Sequence, residues 1–321
     1  MSHPSFLALS LAAAAGGAWS AAAYSQVCQP HWERGAAVAP DGGVHALAAI
    51  SEGGGISLYV GGRFTHIGGV PADHVAKWDG SAWTALGSGI PGQFNSHGFN
   101  GCCANVHSIA AGVSGSSVII AGNFVTAGGQ IVESIADYSG GVWQSLAGGI
   151  ANAGCVDCAY VVYTTARAGS AASGPIYAAG TFDLAGGNPA AKVARWDGQS
   201  WSALGTGIGA ATGDPFPAVV QALATFQGSL YAAGTFTRAG SIETRGIARW
   251  NGAEWSDVGG GLGVPAGGRI PSVTAMAVYD NGQGASLYIA GIMDEVGGVP
   301  ARNIAKWDGA AWSPVGSGIG T

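Results

Sequence analysis

The stretch "SLYVGGRFTHIGGVPADHVAKWDGSAWTALGSGI" at 57–90 recurs in recognisable form at 117–150, 175–208, 229–262 and 286–319. One glycine marks each copy: Gly62, Gly122, Gly180, Gly234 and Gly291 are spaced 60, 58, 54 and 57 residues apart. A unit this short cannot bury its apolar face alone, so its copies must stack on one another. Five copies occupy 44–320 of the 321 residues and leave no room for a second kind of domain.

Each period holds four short apolar runs bounded by glycine and turn residues, an all-β pattern. In the first copy they are "VHALAAI", "LYVGGRF", "VAKW" and "WTALG". Four strands per repeat, arrayed radially, make a propeller blade, so the expected fold is a β-propeller of about five four-stranded blades. The first run is rich in Ala, Val and Ser, which suits an innermost strand where blades crowd the axis. Asp-Gly within "KWDGSAW" (77–83), "RWDGQSW" (195–201) and "KWDGAAW" (306–312) is a hairpin signal, because the turn needs residues tolerant of positive φ. Asn251 stands where the other copies have Asp79, Asp197 and Asp308, and Ser139 stands there in the second copy, as turn geometry allows and an acid catalyst does not. Trp78, Trp83, Trp143, Trp196, Trp201, Trp250, Trp255, Trp307 and Trp312 therefore read as packing anchors of the repeat. The competing reading makes them sugar-stacking platforms. Tyr59, Tyr177, Tyr231 and Tyr288 recur on the second strand and are expected to pack between blades.

A hydrophobic strand ending in a glycine pair or Ala-Gly and followed by spaced aromatics resembles the kelch and galactose-oxidase-like propellers. The fuller pattern LY-x-x-G-x-F, G-G, I-A-x-W-D-G-x-x-W-x-x-L-G-x-G is similar to a repeat of bacterial secreted and cell-surface proteins and of a fungal cortical polarity marker. The resemblance covers 44–320 and implies the fold. It implies no activity, since such propellers host binding, scaffolding and enzymatic roles. A copper-radical oxidase of the galactose-oxidase kind would need a Tyr/His/Cys constellation, and no positions here match it. Upstream, "HWERGAAV" (31–38) resembles a further outer strand with Trp32 in the place of Trp83, so 24–43 reads as a closure segment and a closed five-bladed ring is expected.

The first 23 residues carry an apolar core from Phe6 to Ala15 and an A-x-A pattern at 21–23, and read as a secretory signal peptide. No later stretch is long and apolar enough to span a membrane. The expected location is secreted, periplasmic or cell-surface. Only 9% of residues are charged and the net charge is −6, with no Lys/Arg cluster of the kind that neutralises phosphates, so nucleic acid is excluded as a partner. With 48% hydrophobic residues and 11 Trp the chain has ample apolar surface for a packed core.

If the small-residue strand is innermost, the connections from strand two to strand three share one face with the links between blades. That face carries the candidate binding residues His66, Asp73, His74, Arg238, Glu243, Arg245, Asp294, Glu295 and Arg302. Cys102, Cys103, Cys155 and Cys158 sit in two successive inter-blade loops and read first as disulfides tying them together. A zinc site completed by His97 or His107 is the sharper alternative, and Cys28 leaves the count odd. Loop acids Asp73, Asp183, Asp214, Glu243, Asp294 and Glu295 are too scattered in sequence to define a hydrolytic pair, and no G-x-S-x-G elbow is present. His45, His107, Gln221 and Thr274 share one position of the inner strand. They are expected to be satisfied by backbone carbonyls, or to approach the central channel and hold water or an ion.

These features point to a monomeric, secreted binding or scaffold propeller that recognises a protein or polysaccharide through one loop face, without cofactor, metal or catalytic residue. A multivalent carbohydrate-binding lectin and an extracellular glycan-acting hydrolase or lyase are the alternatives.

Overall fold

The four apolar runs of each repeat form four antiparallel strands, joined in chain order into one sheet. A computed structural model describes residues 39–52, 55–91, 104–112, 117–152, 161–169, 174–212, 214, 216–265 and 268–320. The expected signal peptide (1–23), Trp32 with most of the expected closure segment, and all five cysteines lie outside the described residues, as does His97. Every named element is a strand. Five four-stranded sheets follow one another, and we call them blades one to five. Their inner strands are Val44–Glu52, Asn105–Ala111, Val162–Arg167, Val219–Phe226 and Ser272–Asp280. Each of the first four packs against the inner strand of the next blade, and the array is that of a β-propeller.

The outer hairpin explains the twin aromatics of the motif. Trp78 faces Trp83 directly across the third and outer strands, and Tyr138 faces Trp143 in the same register. The paired rings sit 4.9–5.3 Å apart and tilted, a favourable arrangement for two aromatic quadrupoles. The turn between them is closed by the carboxylate. Asp79 Oδ1 accepts the Ser81 and Ala82 N–H groups at 2.8 and 2.9 Å, and Asn251 Oδ1 does the same for Ala253 and Glu254.

Each blade is then stapled to its predecessor. The indole N–H of Trp143 donates to the Leu86 carbonyl at 3.0 Å, Trp201 to Leu146 at 2.7 Å, Trp255 to Leu204 at 2.9 Å and Trp312 to Val258 at 2.9 Å. These four tryptophans are buried, 5–7% exposed. A second link comes from the short hairpin between strands two and three, which pairs with the chain leaving the previous blade. Ile150–Ala151 pairs with Leu184–Ala185, and Ile208–Gly209 with Arg238–Ala239. Apolar clusters fill the space between, each drawing on two neighbouring blades. Tyr59, Tyr177 and Tyr231 are buried there, as expected of the repeated tyrosine.

Four such junctions connect five blades and leave two faces uncovered among the described residues. On the rear of blade one, Val44, Leu58 and Trp83 are half-buried, although their equivalents Val273, Leu287 and Trp312 in blade five are buried. The Trp83 indole has no carbonyl partner among the described residues, for no described blade precedes it. On the front of blade five, Ile319 is 51% exposed where Ile90 of blade one is 0%, and Tyr279 is 60% exposed. Ring closure would join these two faces, and the described residues do not bring them into a junction like the other four. Tyr288, the fifth repeated tyrosine, is half-buried for the same reason.

Candidate functional site

All five inner strands carry a β-bulge at the same place. Their register against the second strand shifts between Val44 and Ala46, Val106 and Ser108, Val162 and Thr164, Val220 and Ala222, and Val273 and Ala275. The extra residues are His45, His107, Tyr163, Gln221 and Thr274. A bulge bends its strand and re-aims the side chain of the inserted residue. It also brings the two backbones together, which is why a glycine recurs opposite. A Cβ at Gly62, Gly122, Gly180, Gly234 or Gly291 would overlap the carbonyl oxygen of Gly43, Asn105, Val161, Val219 or Ser272. The marker glycine of the repeat is thus a sequence signature of the bulge.

One backbone position therefore carries four kinds of side chain over five blades, histidine in the first two and tyrosine, glutamine and threonine in the others. In blades one to three they form a continuous row. His45 Nδ1 lies 2.7 Å from Asn105 Oδ1, and Asn105 Nδ2 lies 3.1 Å from His107 Nε2. The amide oxygen can only accept and the amide nitrogen only donate, so His45 carries its proton on Nδ1 and neutral His107 is protonated on Nδ1. The two imidazoles stack, with centroids 5.8 Å apart and planes 16° from parallel. Tyr163 meets His107 edge-on at 5.3 Å. Burial pushes the pKa of His107 down to about 4, and the charges of His45 and Arg63 add to the effect. In blade four, the Gln221 Oε1 is buried with no hydrogen-bond partner. Thr274 in blade five is exposed, and its hydroxyl donates to the Ala290 carbonyl at 3.4 Å as expected of this position. The expectation that backbone carbonyls satisfy this position does not hold for the histidines, which are held by an amide side chain and by aromatic rings.

The chain leaving the second strand of blade one places Arg63 beside this row, with its N–H on the Gly43 carbonyl at 2.7 Å. Arg63 is exposed and forms no ion pair among the described residues. Sequence reasoning identified His45, His107, Gln221 and Thr274 but missed Tyr163, Asn105 and Arg63. The signal for Tyr163 was available, since it stands 17 residues before Gly180 as Thr274 stands 17 before Gly291. Nothing in the sequence foretells that Asn105 bridges two histidines.

The nine candidates of the loop face lie on or beside the short hairpins of blades one, four and five, and their contacts are local. His66 lies 3.3 Å from Asp41, whose carboxylate accepts the Thr65 hydroxyl at 2.6 Å and the His66 and Thr65 N–H groups and is held well below the usual carboxylate range by those bonds, the hydroxyl's above all. Asp73, Arg245 and Arg302 occupy one position, where each carbonyl accepts an N–H from the departing chain, of Ile90, Leu262 and Ile319 respectively, at 2.9 Å. His74 is buried with φ 68° and its Nδ1 unpartnered, and burial pushes its pKa down. Arg238 stands opposite Glu243 in its hairpin and donates Nε–H to the Gly240 carbonyl at 3.1 Å. Asp294 lies 3.8 Å from Arg269, and the Glu295 carbonyl accepts the Gly263 N–H at 3.0 Å. Two further loop acids are engaged nearby: Asp183 with Lys192 and Asp214 with Thr237.

The candidate disulfide and zinc cysteines lie outside the described residues. Among the described residues no group of three His, Cys, Asp or Glu side chains is placed to hold a metal ion. No described helix is long and apolar enough to cross a membrane.

No protein-family model matches this chain, and no curated protein does. Among solved structures it is similar to the GH74 enzyme of Niastella koreensis, with TM-score 0.42 and 16% identity over 85% of this chain and 37% of that one. It is also similar to an ancestral GH74 enzyme, with TM-score 0.44 and 11% identity over 88% of this chain and 44% of that one. The chain spans less than half the length of either structure.

Proposed function

We propose that this chain is a secreted β-propeller binding protein that recognises a surface polymer or partner through the rim where its inner strands bulge. The observation that carries this reading is the contrast between one invariant backbone device and its varied occupants, His45 and His107 in the first two blades and Tyr163, Gln221 and Thr274 in the others. Architecture alone needs the bulge and its glycine. It does not need two stacked histidines and a tyrosine on a half-buried rim, a chemistry suited to recognition.

Two observations weigh against the other readings. A lectin that uses the repeated tryptophans as platforms needs exposed ring faces, and Trp143, Trp201, Trp255 and Trp312 are buried with their N–H groups spent on the preceding blade. Hydrolysis needs two carboxyls facing a common bond. Asp183, Asp214 and Asp294 are instead drawn into contacts with Lys192, Thr237 and Arg269 on their own hairpins or the adjoining chain.

Purified protein on a glycan array, followed by titration calorimetry of the hits, tests the reading. Saturable binding is expected, weakened by His107→Ala with little change in melting temperature and unaccompanied by new reducing ends. Release of reducing ends that stops on substituting a loop acid would establish the hydrolase instead.

A further inference from the structure

We infer that the bulge rim takes a carboxylate-bearing sugar, with its acid group at blades one and two and its hydroxyls toward blades three to five. This inference rests on the binding reading above and names the ligand class of the same site.

The charge beside the row is that of Arg63 at its blade-one end, because His107 is neutral above about pH 4. Arg63, His45 and His107 all belong to blades one and two, and Arg63 is near enough to His107 for its charge to be felt there. Asn105, which links the imidazoles, pairs across its sheet with Asn123. No carboxylate balances the guanidinium at ion-pair distance among the described residues, although Lys77, Lys192 and Arg269 are each matched with an acid. An exposed guanidinium without an acid partner is a fork suited to a planar carboxylate.

Blades three to five offer something different at the same positions. Tyr163 supplies an aromatic ring and a phenol, Gln221 a buried amide, and Thr274 an exposed side chain whose hydroxyl donates to the Ala290 carbonyl and can still accept. Thr181, beside the bulge of blade three, already accepts the Val161 N–H at 3.1 Å. The Tyr163 phenol and the Thr274 hydroxyl oxygen are neutral and can accept from sugar hydroxyls, whereas the Gln221 Oε1 is buried out of a ligand's reach. A ligand that is anionic at one end and polyhydroxylated at the other fits both halves. A sugar acid is the simplest such molecule, whether free or within a polymer.

Calorimetric titration with galacturonic acid, trigalacturonic acid, galactose, galactotriose and inorganic phosphate tests the inference. Expected is binding of one or both acids with the neutral sugars at least about tenfold weaker, as for loss of one charge-assisted hydrogen bond. Arg63→Gln should reduce acid binding by a similar factor and leave the melting temperature unchanged, since only its backbone is bonded. Arg63→Lys should restore part of it. Comparing monomer with trimer separates a free sugar acid from a polymer unit. Equal binding of neutral and acidic sugars, indifference to Arg63→Gln, or equal displacement by phosphate overturns the inference while leaving the binding reading intact. Absence of any hit on the glycan array would defeat that reading itself.

Discussion

The outer hairpin and the inner bulge are both repeated in every blade, yet the sequence treats them in opposite ways. At the hairpin the side chains recur with the backbone. An aromatic pair, an Asp or Asn turn and a tryptophan N–H aimed at the preceding blade appear with little variation. At the bulge only the backbone recurs, with its facing glycine, while the inserted residue differs between almost all blades. Uniform side chains at a uniform position signal shared packing demands. Varied side chains at a uniform position are free of those demands, which makes them available to a ligand.

If that contrast is right, the largest effect of any substitution falls on the hairpin tryptophans between blades. Trp201→Ala should lose roughly 3–5 kcal/mol in urea unfolding, the range for truncating a buried aromatic. Trp83→Ala should lose less than half as much, because its rear face has no described blade against it. Equal losses would mean that something covers blade one in solution. Next comes the backbone of the bulge itself. Gly180→Ala forces a methyl into the Val161 carbonyl and should cost about 1–3 kcal/mol, as overpacking does.

The turn acids should matter less. Asp197→Ala removes a carboxylate that accepts the Gln199 and Ser200 N–H groups at 2.8 and 2.7 Å, and a smaller loss of stability than at Gly180 is expected in urea unfolding. Asp197→Asn should be nearly silent in the same unfolding assay, because Asn251 fills that role in blade four. These bonds lower the pKa of Asp79, Asp197 and Asp308 below the unfolded value, so their contribution is present above pH 4 and fades as pH falls through the folded values. His107 acts in a higher window. Its folded pKa is depressed from 6.5 to about 4, so the unfolded chain binds the proton more readily and stability declines as pH drops from 6.5 toward 4. In His107→Gln that part of the pH profile should flatten.

Much of this architecture could be read from the chain alone, because a repeat displays its structural demands several times over. Asp-Gly, the tryptophans and the marker glycine could each be compared across copies, and the Asn251 exchange separated turn chemistry from catalysis. That blades one and five each have a face without a neighbour among the described residues was not legible, since a junction belongs to two copies and no single copy shows whether its neighbour is in place. The rim was half legible. His45, His107, Gln221 and Thr274 aligned as a set, but Tyr163 does not resemble them, and the bridging Asn105 and adjacent Arg63 are brought in by the bulge and the strand end. The loop candidates were chosen for charge, and the structure gives several of them local backbone roles that charge does not reveal.

Blade five already shows that this bulge accepts threonine, which makes one double variant decisive. In His107→Thr/Tyr163→Thr the backbone device is kept and the row across blades two and three is erased. Titration of that variant with the acidic trisaccharide, at a temperature where urea unfolding shows it folded, should give no measurable binding and stability within about 2 kcal/mol of the parent. Undiminished affinity in the folded variant would contradict the claim that the varied residues at the bulge, and not the repeated ones, carry recognition.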